Sequence, residues 1–310
     1  MKKTLTIGSR GSELALWQAE YVKARLEKRY KKLEVRIEII KTKGDKILDV
    51  ALSKIGDKGL FTKELERALL QCDIDIAVHS LKDMETTVPE GLRLTAITKR
   101  EKVNDVLISK KWKSLEDLPE GATVATGSLR RCSQLKHLRP DLNIVDLRGN
   151  LNTRFAKFDE SKWDAMILAY AGVLRLGWSD RIAATLPTQL LLPAVGQGAL
   201  GIEIRESDRD AATYLAALNH EESWAACVAE RALLRTLQGG CQVPVAAYAR
   251  MEKEKLVLDA MVGSLDGTLR LDARGTTSKL SGAEAMGVRV ANKLLREGAE
   301  DILEDIRGSK

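Results

Sequence analysis

Through about the first 220 residues, short apolar runs alternate with stretches of helical periodicity, and this alternation constrains the fold more than any other feature. Residues 5–7 read as a strand, and Ser12 is placed to cap a helix with Leu14, Trp17 and Tyr21 on one face. Val35, Ile37 and Ile39 alternate with Glu34, Arg36 and Glu38, the pattern of a half-buried strand. Further strands are expected over residues 74–78, 92–97, 106–109, 123–126, 144–147 and 165–169, with helices over 61–70 and 129–138. Strand, helix and strand repeated in this way predict α/β layers with largely parallel sheets. From Glu221 the pattern changes to a long helix through Leu237. Strands over 245–249, 256–262 and 269–273 follow, then a helix from about 281 to 296.

Two crossings divide the chain. Residues 98–104 form a charged stretch between strands, and in residues 190–201 Pro193, Gly196, Gly198 and Gly201 interrupt an apolar run. The second crossing is expected to return the chain to the first sheet. Three domains follow: an α/β domain of residues 1–99 and 200–217, a second α/β domain of 100–199, and a smaller C-terminal α+β domain of 218–310. With 310 residues, the chain can bury enough surface to need no disulfide or metal staple.

Fifty basic against 44 acidic side chains give a net charge of +6, which favours anionic partners without naming one. Aromatic residues make up only 4%, too few for the stacking platforms of single-stranded nucleic-acid binding. Cys72, Cys132, Cys227 and Cys241 form no C-x-x-C pair, and His79, His137 and His220 fall in no ligand spacing, so no metal site is expected. No stretch reaches the roughly 18 apolar residues of a membrane helix, and the start of the chain lacks the apolar core of an export signal. The expectation is a cytoplasmic protein with free thiols, acting as a monomer without a membrane or nucleic-acid partner.

Arginines recur just after the predicted strands. Arg10 follows residues 5–7, Arg130 and Arg131 follow Thr126 and Ser128 at a strand-to-helix turn, Arg148 follows residues 144–147, and Arg154 and Arg175 lie close behind. Ligands of open α/β sheets bind beyond the carboxyl ends of the strands, where helix N-termini also favour anions. Taken singly, each arginine reads as a surface residue. Together, the six read as lining a cleft for a polyanion, because guanidinium pairs with carboxylate bidentately and stays charged. Ser80, Lys82 and Asp83 end another strand. Asp83 reads either as a structural partner of a neighbouring cation or as a carboxylate that meets a transient positive charge. Residues 42–59, with Lys54 and Lys58, form either a solvated basic loop or a lid. Cys241 follows Gly239 and Gly240, which end a helix, and precedes Pro244, so it falls on a tight exposed loop. The other three cysteines lie in helical patterns, where a thiol usually behaves as a small buried hydrophobe.

The segment ERALLRTLQGGCQVPVAAYA (230–249) closely resembles the cofactor-attachment region of the porphobilinogen deaminase family. GSRGSELALWQAEYV (8–22), KGDKILDVALSKIGDKGLFTKELE (43–66), DIAVHSLKD (75–83), GSLRRCSQL (127–135), LRGNLNTR (147–154), LAYAGVLRLG (168–177) and LPAVGQGALGIE (192–203) are similar to that family in its order and spacing. The resemblance covers nearly the whole chain and is weakest after about residue 250.

The resemblance implies an enzyme that condenses four porphobilinogen molecules head to tail, with release of ammonia, to the linear tetrapyrrole hydroxymethylbilane. It implies a dipyrromethane cofactor, one per chain, held by a thioether to Cys241. It implies two α/β domains like those of periplasmic binding proteins, with the C-terminal domain carrying the cofactor loop. Asp83 matches the catalytic aspartate. Lys82, Thr126, Ser128, Arg130 and Arg131 match cofactor-binding residues, and Arg10, Ser12, Arg148, Arg154 and Arg175 match substrate-binding ones. Lys54 and Lys58 would belong to the lid. Two departures stand out: Met84 and Glu85 replace the family's Val-Pro after the aspartate, and Gly127 replaces a serine. The competing reading is a non-catalytic protein that binds a small anion in a two-lobed cationic cleft, in which Gly239, Gly240 and Cys241 would have no use.

Overall fold

The computed structural model describes residues 2–46, 59–239 and 243–308. These form two compact units, one of residues 2–46, 59–101 and 198–224, the other of residues 102–197, 225–239 and 243–308.

In the first unit, β1 (Thr4–Ser9) leads into α1 (Glu13–Arg29), and β2 (Glu34–Ile39) into α2 (Lys43–Lys46) and α3 (Lys63–Leu70). Then come β3 (Ile76–Ser80) and β4 (Leu92–Ile97), and the chain returns later as β10 (Leu200–Arg205) and α7 (Arg209–Leu215). The sheet order is β2-β1-β3-β10-β4. β1 lies parallel to β2 and β3, while β10 runs antiparallel to β3 and β4. One face buries Leu5, Ile7, Val22, Leu26 and Ile202, and the other buries Leu65, Leu69, Ile74 and Leu92.

The second unit repeats this plan. Its strands are β5 (Asp105–Ile108), β6 (Thr123–Ala125), β7 (Asn143–Val145), β8 (Ala165–Ala169) and β9 (Ile182–Thr185). Its helices are α4 (Leu129–Leu138), α5 (Leu151–Glu160) and α6 (Tyr170–Arg175). The order is β7-β6-β8-β5-β9, with β6 parallel to β7 and β8, and β5 antiparallel to β8 and β9. Strand β8 shows why such a sequence reads as one apolar run: Ala165 and Ile167 enter the core on one face, Met166 and Leu168 that on the other.

The sheets are therefore mixed, not largely parallel. The reason lies in connectivity. The strand with which the chain enters the second unit (β5) and the one with which it returns to the first (β10) take the same place in their sheets, each antiparallel to both neighbours. A period-two pattern shows which side chains share a face, but carries no record of strand direction.

Three further readings shift. The core face of α1 is Gln18, Ala19, Val22 and Leu26, with Tyr21 packed only partly against that core and Trp17 exposed. Trp17 and Tyr21 stack on each other at the flank, and Arg25 covers the Tyr21 ring. Small and branched residues let the helix approach the sheet, whereas a tryptophan at that position would hold it away. Cys72 is exposed in the turn after α3, at φ +64°, rather than packed in a helix. The last helical stretch is longer than expected: α9 (Ala283–Leu294) continues through a π turn, with Gly298 at φ +101°, into α10 (Glu300–Gly308).

The remaining elements are α8 (Glu221–Thr236) and an antiparallel sheet of β11 (Val245–Glu252), β12 (Lys255–Gly263) and β13 (Arg270–Thr277). From Ala225 onward, α8 shares a core with this sheet, α9 and α10, built on Leu233, Leu258, Val262, Met286 and Leu303. Gly287 of α9 lies so close to α8 that a Cβ there would overlap the carbonyl oxygen of Ala229.

Because that neighbour is backbone, it has no rotamer by which to yield. Gly287→Ala gains about 1 kcal/mol of helix propensity but incurs about 1–3 kcal/mol of overpacking. The expected outcome is a net loss of stability, measured as a lower urea midpoint at unchanged m-value.

Candidate functional site

Because β1 and β3 run parallel and β10 begins beside the end of β3, several loops share one edge of the first sheet. The β1–α1 loop holds Arg10, Gly11 and Ser12. The Ser12 hydroxyl caps α1 by accepting from the Ala15 N–H at 3.4 Å, and the Arg10 guanidinium lies 4.2 Å from the centre of the Phe61 ring. After β3, residues Leu81–Asp83 form a single 3₁₀ turn. Residues three apart in such a turn fall on the same side. Leu81 and Met84 are both buried, and a Cβ on Gly201 would lie 2.8 Å from Leu81 Cδ1 and 3.0 Å from Met84 Sδ. Lys82 and Asp83 are thereby left half-exposed. Met84 takes over the anchoring expected of the family's valine, so the turn keeps its apolar footing without the proline. The Leu81 N–H donates to the Ala199 carbonyl at 3.0 Å, and Gln18 Nε2 of α1 donates to Ser80 Oγ at 2.8 Å.

Behind this turn lies a pair that the sequence reading missed: His79 Nε2 is 3.2 Å from Glu203 Oε2, with both side chains buried. Glu66 of α3 adds a carboxyl whose pKa is raised, first by burial and further by the nearby Glu203 charge, although the Thr62 hydroxyl lowers it. The two residues of the pair are 124 apart in sequence, so no local pattern could reveal it.

In the second unit, β6, β7 and β8 are parallel, and Asp105 at the start of β5 pairs with Ala169 at the end of β8. The shared edge therefore carries Thr126 and Ser128 ahead of α4, Arg148 after β7, and the start of α5. The β6 and β7 loops approach closely: a Cβ on Gly127 would lie 2.6 Å from the Leu147 carbonyl oxygen and 3.4 Å from Arg148 Cζ. Gly127 lets the Leu147 carbonyl and Arg148 approach the turn ahead of α4, which accounts for the missing serine. Ser128 is the N-cap residue of α4, but its side chain makes no capping hydrogen bond. Arg148 Nε donates to Asp146 Oδ2 at 2.9 Å, and Arg154 Nε to the Gly149 carbonyl at 2.8 Å. Arg175 sits at the far end of α6, more than a helical turn from the β8 edge.

Arg130 and Arg131 differ from expectation. The sequence reading turns both forks toward a ligand, yet both lie in the core, 4% and 5% exposed. Arg131 donates from Nε and Nη2 to Asp105 Oδ1, at 3.1 and 2.7 Å, and from Nη1 to the Ile167 carbonyl at 3.0 Å. Arg130 Nη2 is 2.8 Å from Asp105 Oδ2, and its Nη1 donates to the Leu192 carbonyl at 2.7 Å. Gln197 Nε2 completes the cluster by donating to Asp105 Oδ1 at 3.0 Å and to the Val103 carbonyl at 2.6 Å. Burial alone would raise the Asp105 pKa, but the two guanidinium charges and their hydrogen bonds bring it down to about 2. Burial also lowers the Arg130 pKa, against the pull of Asp105. Asp105 was not anticipated, since an acid at the head of an apolar run looks like a strand boundary.

Cys241, Lys54 and Lys58 lie outside the described residues. Among the described residues there is no cluster of metal-ligating side chains, and no helix is long and apolar enough to cross a membrane.

The family description "Porphobilinogen deaminase, dipyromethane cofactor binding domain" matches residues 5–213, and "Porphobilinogen deaminase, C-terminal domain" matches residues 224–296. The chain belongs to the porphobilinogen deaminase family. The porphobilinogen deaminase of Chlorobium limicola is 55% identical over 313 residues, covering 100% of both chains. That of Chlorobium luteolum is 56% identical over 313 residues and that of Chlorobaculum tepidum 54% over 312, each again covering 100% of both chains. Among solved structures, the methionine-binding protein MetQ aligns at a TM-score of 0.45 and 14% identity, over 72% of this chain and 92% of its own.

Asp105 gives a pH test of that cluster. Its folded pKa of about 2 lies below the ordinary aspartate value of 3.8, so its contribution is complete above the unfolded pKa and is lost as pH falls through the folded one. At 1.36 kcal/mol per unit, this amounts to about 2 kcal/mol. Urea unfolding should show the stability gap between wild type and Asp105→Asn holding constant from pH 7 to 5 and narrowing between about pH 4 and 2. A gap independent of pH would remove Asp105 as an ionised partner.

Proposed function

We propose that the chain catalyses the porphobilinogen deaminase reaction, the stepwise head-to-tail joining of four porphobilinogens to hydroxymethylbilane with loss of ammonia, on a dipyrromethane tethered through Cys241. The observation that carries this reading is family membership along the chain, together with Asp83 and Arg148 standing just after strands. The reading takes the protein as a cytoplasmic monomer whose partner is the small molecule porphobilinogen.

The residues present suit such a cofactor. Each pyrrole of the chain carries an acetate and a propionate, so the group needs cations and hydrogen-bond donors. At the head of α4 stand Thr126 and Ser128, the latter with a hydroxyl not used in capping, beside a helix N-terminus that favours anions. Arg130 Nε is buried without a hydrogen-bond partner among the described residues, a donor left over in the cluster behind that turn. When bound, the dipyrromethane would supply the pyrrole carbon to which the first substrate is joined. Thr126, Ser128 and Lys82 would hold its carboxylates by direct contact, with Arg130 and Arg131 contributing charge from beneath.

Substrate carboxylates fall to Arg10, Ser12, Arg148, Arg154 and Arg175. Arg148 suits this task best, being half-buried and paired with the exposed Asp146. A carboxylate on a turn anchored by apolar side chains, beside a lysine, suits Asp83 for accepting pyrrole N–H bonds. From there it can stabilise the positive charge left on the pyrrole and its methylene carbon when the amino group of the substrate's aminomethyl arm departs as ammonia, and hold the proton that moves at that step. The apolar footing of Leu81 and Met84 keeps this carboxylate preorganised, so little reorganisation is required as charge develops. A passive anion-binding protein would make no use of Gly239, Gly240 and Cys241.

Protein purified from a tetrapyrrole-making host should exceed its sequence mass by two linked pyrrole units, located on Cys241 by peptide mapping. A bare-chain mass would favour the anion-binding alternative. Asp83→Ala should remain folded and keep the adduct while turnover falls about 10²–10⁴-fold. Near-normal turnover would exclude Asp83 from the chemistry.

A further inference from the structure

Two cations buried side by side are costly, and nothing in the local sequence requires both Arg130 and Arg131 to point inward. Arg131 meets protein acceptors from all three of its nitrogens and Arg130 from two, its Nε being left over, and the shared anion is Asp105, 0% exposed. The charges do not cancel: two guanidinium groups against one carboxylate leave one surplus positive charge in the core. For stability alone such a cluster is a poor device, since well-packed apolar residues in place of a buried ion network are commonly as stable or more so. The cluster is also held from three directions. Asp105 starts β5, the arginines occupy the first turn of α4, and Gln197 and the Leu192 carbonyl come from the segment before β10. Gln134, one turn along α4 from Arg130, grips Leu192 as well, its Oε1 accepting from the Leu192 N–H at 2.8 Å and its Nε2 donating to the carbonyl at 3.0 Å. The surplus charge is thus fixed under the turn where Thr126 and Ser128 stand.

We infer that Asp105 is a positioning residue for cofactor retention: by clamping Arg130 and Arg131 together, it fixes the surplus cation beneath the Thr126–Ser128 turn, where the cofactor's carboxylates bind. The inference rests on the proposed function, but goes beyond it in assigning a role to a residue that touches neither cofactor nor substrate. In the Asn variant, both guanidinium groups lose their counter-ion, so the pair separates or shifts and the turn loses its fixed charge.

The test compares wild type, Asp105→Asn and a stability control, Phe158→Leu, which opens space in the core of the same unit where Phe158 is 1% exposed. Each is purified from a tetrapyrrole-making host, checked for folding by near-ultraviolet circular dichroism, and weighed intact to give the loaded fraction. Turnover and KM are then measured per loaded molecule. Asp105→Asn should be folded and loaded several-fold less than Phe158→Leu. Its turnover per loaded molecule should fall by about tenfold or more with KM changed by less than about twofold, the signature of a misplaced reacting group. Equal loading of the two variants, or wild-type loading and kinetics in Asp105→Asn, would overturn the inference. A wild-type protein without any adduct would instead overturn the proposed function. Should Asp105→Asn not fold, Asp105→Glu, which keeps the charge but is one methylene longer, is measured in the same way. Loading below that of Phe158→Leu supports the positioning role, and loading equal to it overturns that role.

Discussion

Two guanidinium groups cannot remain buried against each other unless an anion lies between them, and in the second unit that anion is Asp105. The pairing joins the strand by which the chain enters the unit, the helix that opens its anion-favouring turn, and the segment by which the chain departs. Its net charge is positive, so it combines an anchoring role with an electrostatic one. The same economy is absent at exposed pairs such as Arg36 with Glu34 or Arg181 with Asp159, where water screens the charges and the pairing adds little.

The two five-stranded sheets place chemistry at their edges by one topological device. In each, three parallel strands end together beside the start of an antiparallel strand, so loops far apart in sequence meet at one rim. In the first unit the rim bears a 3₁₀ turn anchored by Leu81 and Met84 that leaves Lys82 and Asp83 accessible. In the second, Gly127 allows the β6 and β7 loops to close on each other and lets Arg148 approach the turn ahead of α4. Met84 and Gly127 both depart from the family's usual residues, and both are explained by packing: one fills an apolar socket under Gly201, the other avoids the Leu147 carbonyl.

Much of the fold was legible because its signals are local. Strand β8 over residues 165–169 and helix α4 over 129–138 match their expected spans, since an unbroken apolar run and a serine ahead of a helical pattern need no distant information. The face of α1 was misjudged because Trp17 and Tyr21 are the most hydrophobic-looking residues there, while close approach to a sheet favours Ala19 and Val22. Strand direction was misjudged because nothing in β5 or β10 distinguishes a parallel neighbour from an antiparallel one. The site was legible in part. Asp83, Lys82, Ser12 and Arg148 stand where turns at strand ends put them, whereas the His79–Glu203 and Asp105–Arg131 pairs join residues 124 and 26 positions apart.

The sequence by itself determined the element types, the family, and which residue types cluster after strands, because these depend on neighbours along the chain. Tertiary structure alone decided which arginines face inward. A guanidinium takes its direction from the nearest unmet acceptor, and Asp105 reaches Arg130 and Arg131 only once β5 has paired beside β8.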